Sequence, residues 1–255
     1  MSALIELEGV VKQFPGDTEP VLAGISLEVG RGELVALIGP SGCGKSTVLN
    51  ILAGLIRVTS GTLRINDRDA RVSYVFQRPR LLPWRKVRRN VEFSLEQADV
   101  TGAARRRAAE AAIERVNLTG HEDKYPHQLS GGMQQRVALA RGLAIEPSVL
   151  LLDEPFGALD TQTRALMQEL LLAVWEAERK TVLFVTHDID EAVFMANRVL
   201  VMTARPGRIK AVVDVALPRP RHYTVKTTPE FAALKARLTD EIRAESIRAV
   251  EMEKQ

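Results

Sequence analysis

A short loop at residues 39–46, GPSGCGKS, constrains the fold of this chain more than any other feature of its sequence. It follows an uninterrupted apolar segment, residues 34–38, and precedes a segment with helical spacing. The pattern G-x-x-x-x-G-K-[ST] between a strand and a helix is typical of a loop whose backbone amides enclose phosphate oxygens. The helix dipole attracts the anion, Lys45 reaches the terminal phosphates and Ser46 is suited to hold magnesium. This phosphate loop predicts a nucleotide site, but many unrelated enzymes and motors share it.

Length and composition narrow the class of protein. With 255 residues, 45% of them hydrophobic, the chain can bury a full core. Its apolar runs end far short of the ~20 residues that a membrane-spanning helix needs. The N-terminal residues lack the features of a signal peptide, and the single cysteine, Cys43, leaves no pair for a disulfide. The net charge of +3 gives little support for nucleic-acid binding. We therefore expect a cytosolic protein that binds no nucleic acid.

The order of strand-like and helix-like segments predicts the fold class. Short strand-like segments fill residues 3–77, and the first two alternate apolar and polar residues, which is typical of an antiparallel layer. Residues 86–146 are rich in Ala, Glu and Arg with helical spacing, and buried strand-like segments then return. We predict an α/β fold of the P-loop NTPase (RecA-like) type, with a mixed sheet core, an antiparallel β layer and an inserted helical subdomain.

The C-terminal residues form a separate predicted segment. We expect a domain over residues 1–216, with the helical subdomain at about 80–146, followed by a linker and an amphipathic helix over 217–255. Thr228 is a suitable cap and Pro229 a suitable first residue for that helix. Its apolar stripe consists of Phe231, Leu234, Leu238 and Ile242. The stripe could pack on its own domain or stabilise a dimer.

Two acidic residues follow the apolar segment that ends at residue 152. A carboxylate at the end of a buried strand, Asp153, is suited to bind magnesium. Its neighbour Glu154 is suited to polarise a water molecule for in-line attack on a γ-phosphate. Taken alone, the pair could be solvated turn residues, but together with the phosphate loop it favours a catalytic role.

The segment LSGGMQQR at residues 129–136 discriminates among nucleotide-binding proteins. Ser130 and two glycines precede a helical segment, which predicts a second helix N-terminus able to bind an anion. With this segment, the phosphate loop and the acidic pair, the chain resembles the nucleotide-binding subunits of ABC transporters. LSGGMQQR is similar to the signature motif of that family. In that family two cassettes face each other head to tail, so that the signature of one closes on the ATP held by the other.

The resemblance extends to other motifs. Phe14 matches the aromatic position that stacks on adenine, Gln77 the Q-loop glutamine, GALD at 157–160 the D-loop, and His187 the switch histidine. It implies catalytic roles for Glu154, His187 and Gln77, and magnesium binding by Ser46, Gln77 and Asp153. The implied ATP-binding residues are Phe14, Gly39, Pro40, Ser41, Gly42, Cys43, Gly44, Lys45, Ser46, Thr47, Ser130, Gly131, Gly132, Gln134 and Asp160.

Residues 75–91, 186–202 and 205–209 resemble the nitrate, aliphatic sulfonate and taurine branch of bacterial importers. The resemblance implies an ATPase that energises uptake of a small solute, with ATP and Mg²⁺ as cofactors. Its implied partners are a second cassette, two transmembrane permease subunits and, indirectly, an extracytoplasmic solute-binding protein. Its implied location is the cytoplasmic face of the inner membrane, as a peripheral subunit. The alternatives are an importer of another small organic solute and, less favoured, a soluble ABC ATPase outside transport.

Leu82 and Trp84, which follow the Q-loop glutamine, leave two alternatives open. If they are exposed, they would form a hydrophobic surface for a helix of the permease. If they are buried, they would pack inside the helical subdomain.

Overall fold

The computed structural model describes residues 3–96, 98 and 100–252. The chain forms two compact units. The first unit consists of the described residues up to Ala70 and from Arg179 onward, and the second unit is Arg71–Glu178. None of the helices in the described residues combines the length and the apolar character that crossing a membrane requires.

A three-stranded antiparallel sheet lies in the first unit. Its middle strand, β1 (Ala3–Lys12), pairs on one side with β2 (Leu22–Gly30) and on the other with β4 (Ser60–Ile65). Buried and exposed residues alternate along β2, as the sequence pattern predicts for a sheet with one face on the core.

The first unit also contains parallel strands. β3 (Leu34–Ile38) pairs in parallel with β7 (Thr181–Val185) and with β8 (Arg198–Met202), and β9 (Ile209–Asp214) is antiparallel to β8. Every residue of β3 and β7 is buried, because strands in such a sheet are covered on both faces. The helices of this unit are α1 (Lys45–Leu52), α6 (Ile189–Met195) and α7 (Pro229–Met252).

The C-terminal helix α7 packs on its own unit. Its first turn is capped as predicted, since the Thr228 hydroxyl oxygen accepts a hydrogen bond from the Phe231 amide at 3.3 Å. Phe231 and Leu238 are buried, whereas the other two residues of the predicted stripe are half-buried. The preceding segment is fixed by Arg221, a buried residue whose guanidinium donates to five backbone carbonyls, those of Val193, Phe194, Ala196, Val215 and Leu217.

In its described residues, the second unit combines two parallel strands with four α-helices and a short 3-10 helix, Pro126–Gln128. β5 (Val72–Val75) pairs with β6 (Val149–Asp153). The helices are α2 (Val87–Leu95), α3 (Gly102–Arg115), α4 (Gly131–Leu143) and α5 (Thr161–Glu178). The mixed α/β fold is thus confirmed. The predicted helical subdomain at 80–146 lies inside this unit, and its boundaries, like those at 1–216 and 217–255, stay predictions.

Candidate nucleotide-binding site

The phosphate loop lies in the first unit, between β3 and α1. Two of its glycines have left-handed backbone conformations, with φ of 75° at Gly42 and 100° at Gly44, which residues with a side chain rarely adopt. A Cβ atom at Gly44 would also lie 2.5 Å from Cδ2 of Leu22. Glycine is therefore required at position 44 for two reasons, its backbone conformation and the short distance to Leu22.

Lys45 closes the loop. Its side chain is buried, and Nζ donates hydrogen bonds to the carbonyl oxygens of Gly39 and Pro40, both at 2.9 Å. The N-cap residue of α1 is Gly44, which has no side chain to cap the first amides of the helix. A cation and a helix N-terminus thus coincide at the loop, and this arrangement favours an anion.

Cys43 contributes packing to the loop and not reactivity. It is completely buried, and burial raises the pKa of its thiol, although the nearby Lys45 ammonium acts in the opposite direction. The thiol form is therefore favoured over the nucleophilic thiolate.

Gly39 and Pro40 are buried, and the remaining predicted residues of the first unit are exposed or half-buried. Phe14 is half-buried, and Nζ of Lys12 lies 4.8 Å from the centroid of its ring. Ser41 and Ser46 are exposed, and Thr47 is half-buried. His187 is exposed just beyond the end of β7, next to the residue that caps α6.

The second unit contains an acidic cluster, made of Tyr74, Gln77, Asp153 and Glu154. The Tyr74 hydroxyl donates a hydrogen bond to Oδ2 of Asp153 at 3.0 Å. The pKa of Tyr74 is raised, first by burial and then by the Asp153 carboxylate, so the phenol keeps its proton and remains a donor. Tyr74 thus orients the carboxylate at the end of β6. The sequence analysis did not identify Tyr74.

The structure brings the predicted residues Gln77 and Glu154 together. Nε2 of Gln77 donates to Oε2 of Glu154 at 3.0 Å. Glu154 has a φ of 43°, a left-handed conformation that is uncommon for a residue with a side chain and that recurs at functional sites. A Cβ atom at Gly157 would lie 3.4 Å from the same carboxylate, which is an ordinary van der Waals contact.

The signature segment forms a capped helix start. The Ser130 hydroxyl oxygen accepts a hydrogen bond from the Met133 amide at 3.3 Å. Nε2 of Gln134 donates to the carbonyl oxygens of Pro126 and Leu129 and fixes the preceding turn.

The two glycines of the signature segment differ in their surroundings. Gly131 is exposed, and no atom lies within 4 Å of a Cβ placed on it. A Cβ atom at Gly132 would overlap the Thr163 side chain, so glycine permits a close approach of α4 and α5. Gly131 is thus the more accessible of the two.

Asp160 caps α5. Its Oδ1 accepts hydrogen bonds from the amides of Gln162 and Thr163 at 3.1 and 3.0 Å. The hydrogen bonds from Thr163 hold the pKa of this exposed carboxyl below its ordinary value. The predicted contact between Asp160 and nucleotide stays a prediction, whereas its capping role is visible. The sequence signal for a cap, an Asp directly before a helical segment, was available.

The oxygen donors that were predicted for magnesium fit that ion. Among the described residues, no group of three or more His, Cys, Asp or Glu side chains could hold a metal ion. Magnesium does not require one, because it usually keeps several waters and binds one or two protein ligands together with substrate phosphates. The Ser46 hydroxyl and the Asp153 carboxylate are hard oxygen donors of the kind that it prefers.

Comparison with known proteins agrees with these features. The ABC transporter family profile matches residues 22–157. An uncharacterized ABC transporter ATP-binding protein of Methanocaldococcus jannaschii is 44% identical over 257 residues, covering 98% of this chain and 95% of the relative. The aliphatic sulfonates import ATP-binding protein SsuB of Bacillus subtilis (strain 168) is 44% identical over 231 residues, covering 89% and 88%. A solved dimeric ATP-binding cassette in a post-hydrolysis state, bound to ADP and Pi, has a TM-score of 0.73 and 32% identity, covering 84% of this chain and 100% of that one.

Proposed function

This chain belongs to the ABC transporter family, and from that premise we propose that it is the ATP-hydrolysing subunit of an importer for a small sulfonate-type solute. The observation that carries the proposal is the phosphate loop, in which the buried Lys45 ammonium lies at the start of α1. Backbone amides and the ammonium bind the triphosphate, while Phe14 stacks on adenine. Stacking requires only an aromatic ring, which Phe14 supplies.

Hydrolysis depends on a water molecule that is polarised by Glu154. A general base must be held within hydrogen-bond reach of the proton that it accepts. The hydrogen bond from Gln77 at 3.0 Å supports this role, because it limits the orientations of the Glu154 carboxylate. His187 acts at the γ-phosphate, and its exposed position just beyond β7 leaves it accessible to a ligand.

A magnesium ion, when bound, neutralises charge on the phosphates of the nucleotide. The Ser46 hydroxyl and the Asp153 carboxylate would hold it, and the amide oxygen of Gln77 would be a third suitable donor. The Tyr74 hydrogen bond limits the orientations of the Asp153 carboxylate, which would reduce the entropy lost when the ion binds.

Two copies of the chain act as a homodimer. The solved cassette that is bound to ADP and Pi is a dimer, and this supports the same assembly here. In the proposed dimer, Ser130 and the accessible Gly131 of one copy bind the phosphates of the ATP on the other. Binding free energy then shifts an equilibrium between open and closed dimers, and hydrolysis reopens the closed one.

The permease subunits contact the surface that follows the Q-loop. Trp84 is 71% exposed, so the alternative in which it packs inside the subdomain is wrong, whereas Leu82 is half-buried. A large exposed aromatic side chain is typical of a protein interface.

We expect Trp84→Ala to weaken co-purification with the permease while the isolated subunit keeps its ATPase activity. Loss of both properties would contradict this role.

The relative that imports aliphatic sulfonates supports a sulfonate cargo, and the resemblance to the wider branch keeps taurine and nitrate as candidates. The test is to replace the gene in its host by the Glu154→Gln version and to measure growth with a sulfonate as sole sulfur source. We expect growth to be lost on the sulfonate and unchanged on sulfate, with the reintroduced unmodified gene as control. Loss of growth on taurine or nitrate alone would instead identify that solute as the cargo. Normal growth on all three, without a redundant importer, would contradict the proposal.

A further inference from the structure

The turn at residues 203–208, which joins β8 to β9 in the first unit, contains none of the residues named in the activity proposed above. It includes most of the RPGRI segment that marks the importer branch. The turn is closed by its own hydrogen bonds. The amide of Thr203 donates to the Arg208 carbonyl, and the amide of Arg208 donates to Oγ1 of Thr203, both at 3.0 Å. The Thr203 hydroxyl donates in turn to the Pro206 carbonyl oxygen at 3.0 Å. These hydrogen bonds restrict the conformation of the turn, so it can position the segments that it contacts.

One side of the turn supports the phosphate loop. The amide of Gly207 donates to the Val21 carbonyl at 2.8 Å, and the carbonyl of Gly207 accepts from the Ala23 amide at 3.0 Å. A Cβ atom at Gly207 would overlap the carbonyl oxygen of Cys43, a residue of the phosphate loop. Glycine at this position therefore allows the turn to lie directly against the loop.

A second contact of the turn is with the segment that carries Phe14. The Arg205 guanidinium forms an ion pair with Oδ2 of Asp17 at 2.7 Å, and both side chains are partly exposed. Asp17 belongs to the same local turn as Phe14, because its amide donates to the Phe14 carbonyl at 3.1 Å. Its carbonyl also accepts from Nε2 of Gln13 at 2.7 Å. Arg205 thus holds the short segment that presents the aromatic ring.

The C-terminal helix holds the turn from a third direction. Oε2 of Glu245 accepts a hydrogen bond from the Ala204 amide at 3.0 Å. Glu245 is 1% exposed, and its charge is balanced by Lys210 and Arg248, each at 3.2 Å. A buried charge that is fully paired and bonded to one backbone amide restricts the position of that amide.

From these contacts we propose that the turn positions both nucleotide-binding segments, with Arg205 controlling the contact to the base and Gly207 the shape of the phosphate loop. Arg205 is a positioning residue that acts through Asp17. The inference rests on the proposed function, in which Phe14 stacks on adenine. It predicts that ligands with and without a base respond differently to changes in the turn.

The experiment compares the Kd of the full chain for ATP with that for inorganic triphosphate, both without magnesium so that no hydrolysis occurs. We expect Arg205→Ala to raise the Kd for ATP about threefold, as for a partly exposed ion pair, and to leave the Kd for triphosphate unchanged. Arg208→Ala removes an exposed guanidinium from the same turn and should change neither Kd. Gly207→Ala should weaken the binding of both ligands.

A charge exchange provides a second measurement. Arg205→Glu and Asp17→Arg should each weaken ATP binding, and the double variant should recover it. The inference is overturned if Arg205→Ala leaves ATP binding unchanged or weakens triphosphate binding equally.

Phe14→Ala distinguishes a failure of the proposed contact with adenine from a failure of the inference about the turn. If that variant binds ATP normally, the proposed base contact fails and the inference with it. If it weakens ATP binding and Arg205→Ala does not, the inference alone fails.

Discussion

The phosphate loop of the first unit and the acidic cluster of the second are built by different means. In the loop, backbone conformation and burial determine the geometry, with glycines at φ of 75° and 100° and a buried lysine bonded to two carbonyl oxygens. In the acidic cluster, side-chain hydrogen bonds contribute to the geometry, among them one from Tyr74 to Asp153 and one from Gln77 to Glu154. Changes to the loop should therefore affect nucleotide affinity, and changes to the cluster should affect the rate of hydrolysis.

The largest effect is expected for Glu154→Gln. The substitution preserves size and removes the charge of the base, so kcat should fall by about 10²–10⁴-fold while the Kd for ATP changes little. Steady-state hydrolysis and equilibrium binding of the same preparation provide the two values. If ATP affinity fell as strongly as kcat, the division between binding loop and catalytic cluster would be broken.

Gly44→Ala tests the loop. An alanine at φ of 100° is strained, and its Cβ would approach Cδ2 of Leu22, so the free energy of unfolding should fall by about 1–3 kcal/mol, with weaker ATP binding. Gly42→Ala is the matched control, because Gly42 also has a positive φ but no atom lies within 4 Å of the added Cβ. Chemical denaturation of both variants separates strain from contact. Equal losses would show that the approach to Leu22 contributes nothing.

Tyr74→Phe removes one hydrogen bond from the acidic cluster and leaves the ring in place. A single hydrogen bond contributes about 1 kcal/mol, so we expect the magnesium concentration for half-maximal ATPase activity to rise about fivefold. ATP binding without magnesium should be unchanged. Titration of activity with magnesium is the measurement, and an unchanged titration curve with lower kcat would assign Tyr74 to packing alone.

The sequence predicted the loop more completely than the cluster, for a physical reason. The phosphate loop is local: eight consecutive residues determine its backbone, so the pattern alone identifies it. The bond between Tyr74 and Asp153 depends on the parallel pairing of β5 with β6, which places Tyr74 opposite Leu151. No local pattern encodes that register. The exposure of Trp84 could not be predicted from the sequence either, because an apolar side chain in a loop without periodicity can be buried or exposed.

The smallest effect concerns Asp160, which caps α5 in the second unit. Its pKa is lowered by hydrogen bonds from Thr163, so its ionised form stabilises the folded state. That contribution is present above the ordinary carboxyl value of 3.8 and is lost as the pH falls through the lower folded value. Asp160→Ala should therefore lower Tm slightly at pH 7, and the difference from the unmodified chain should shrink in acid.

Asp160→Asn is the matched control, because asparagine caps helices about as well as aspartate but does not titrate. Its Tm difference from Asp160→Ala should therefore be independent of pH. Thermal unfolding of the three proteins between pH 7 and pH 3 measures both differences. If the Asp160→Ala difference stayed constant down to pH 3, the cap would act without its charge. A fall in kcat with unchanged Tm would instead place Asp160 with Glu154 among the residues that act on the nucleotide, as the D-loop resemblance predicts.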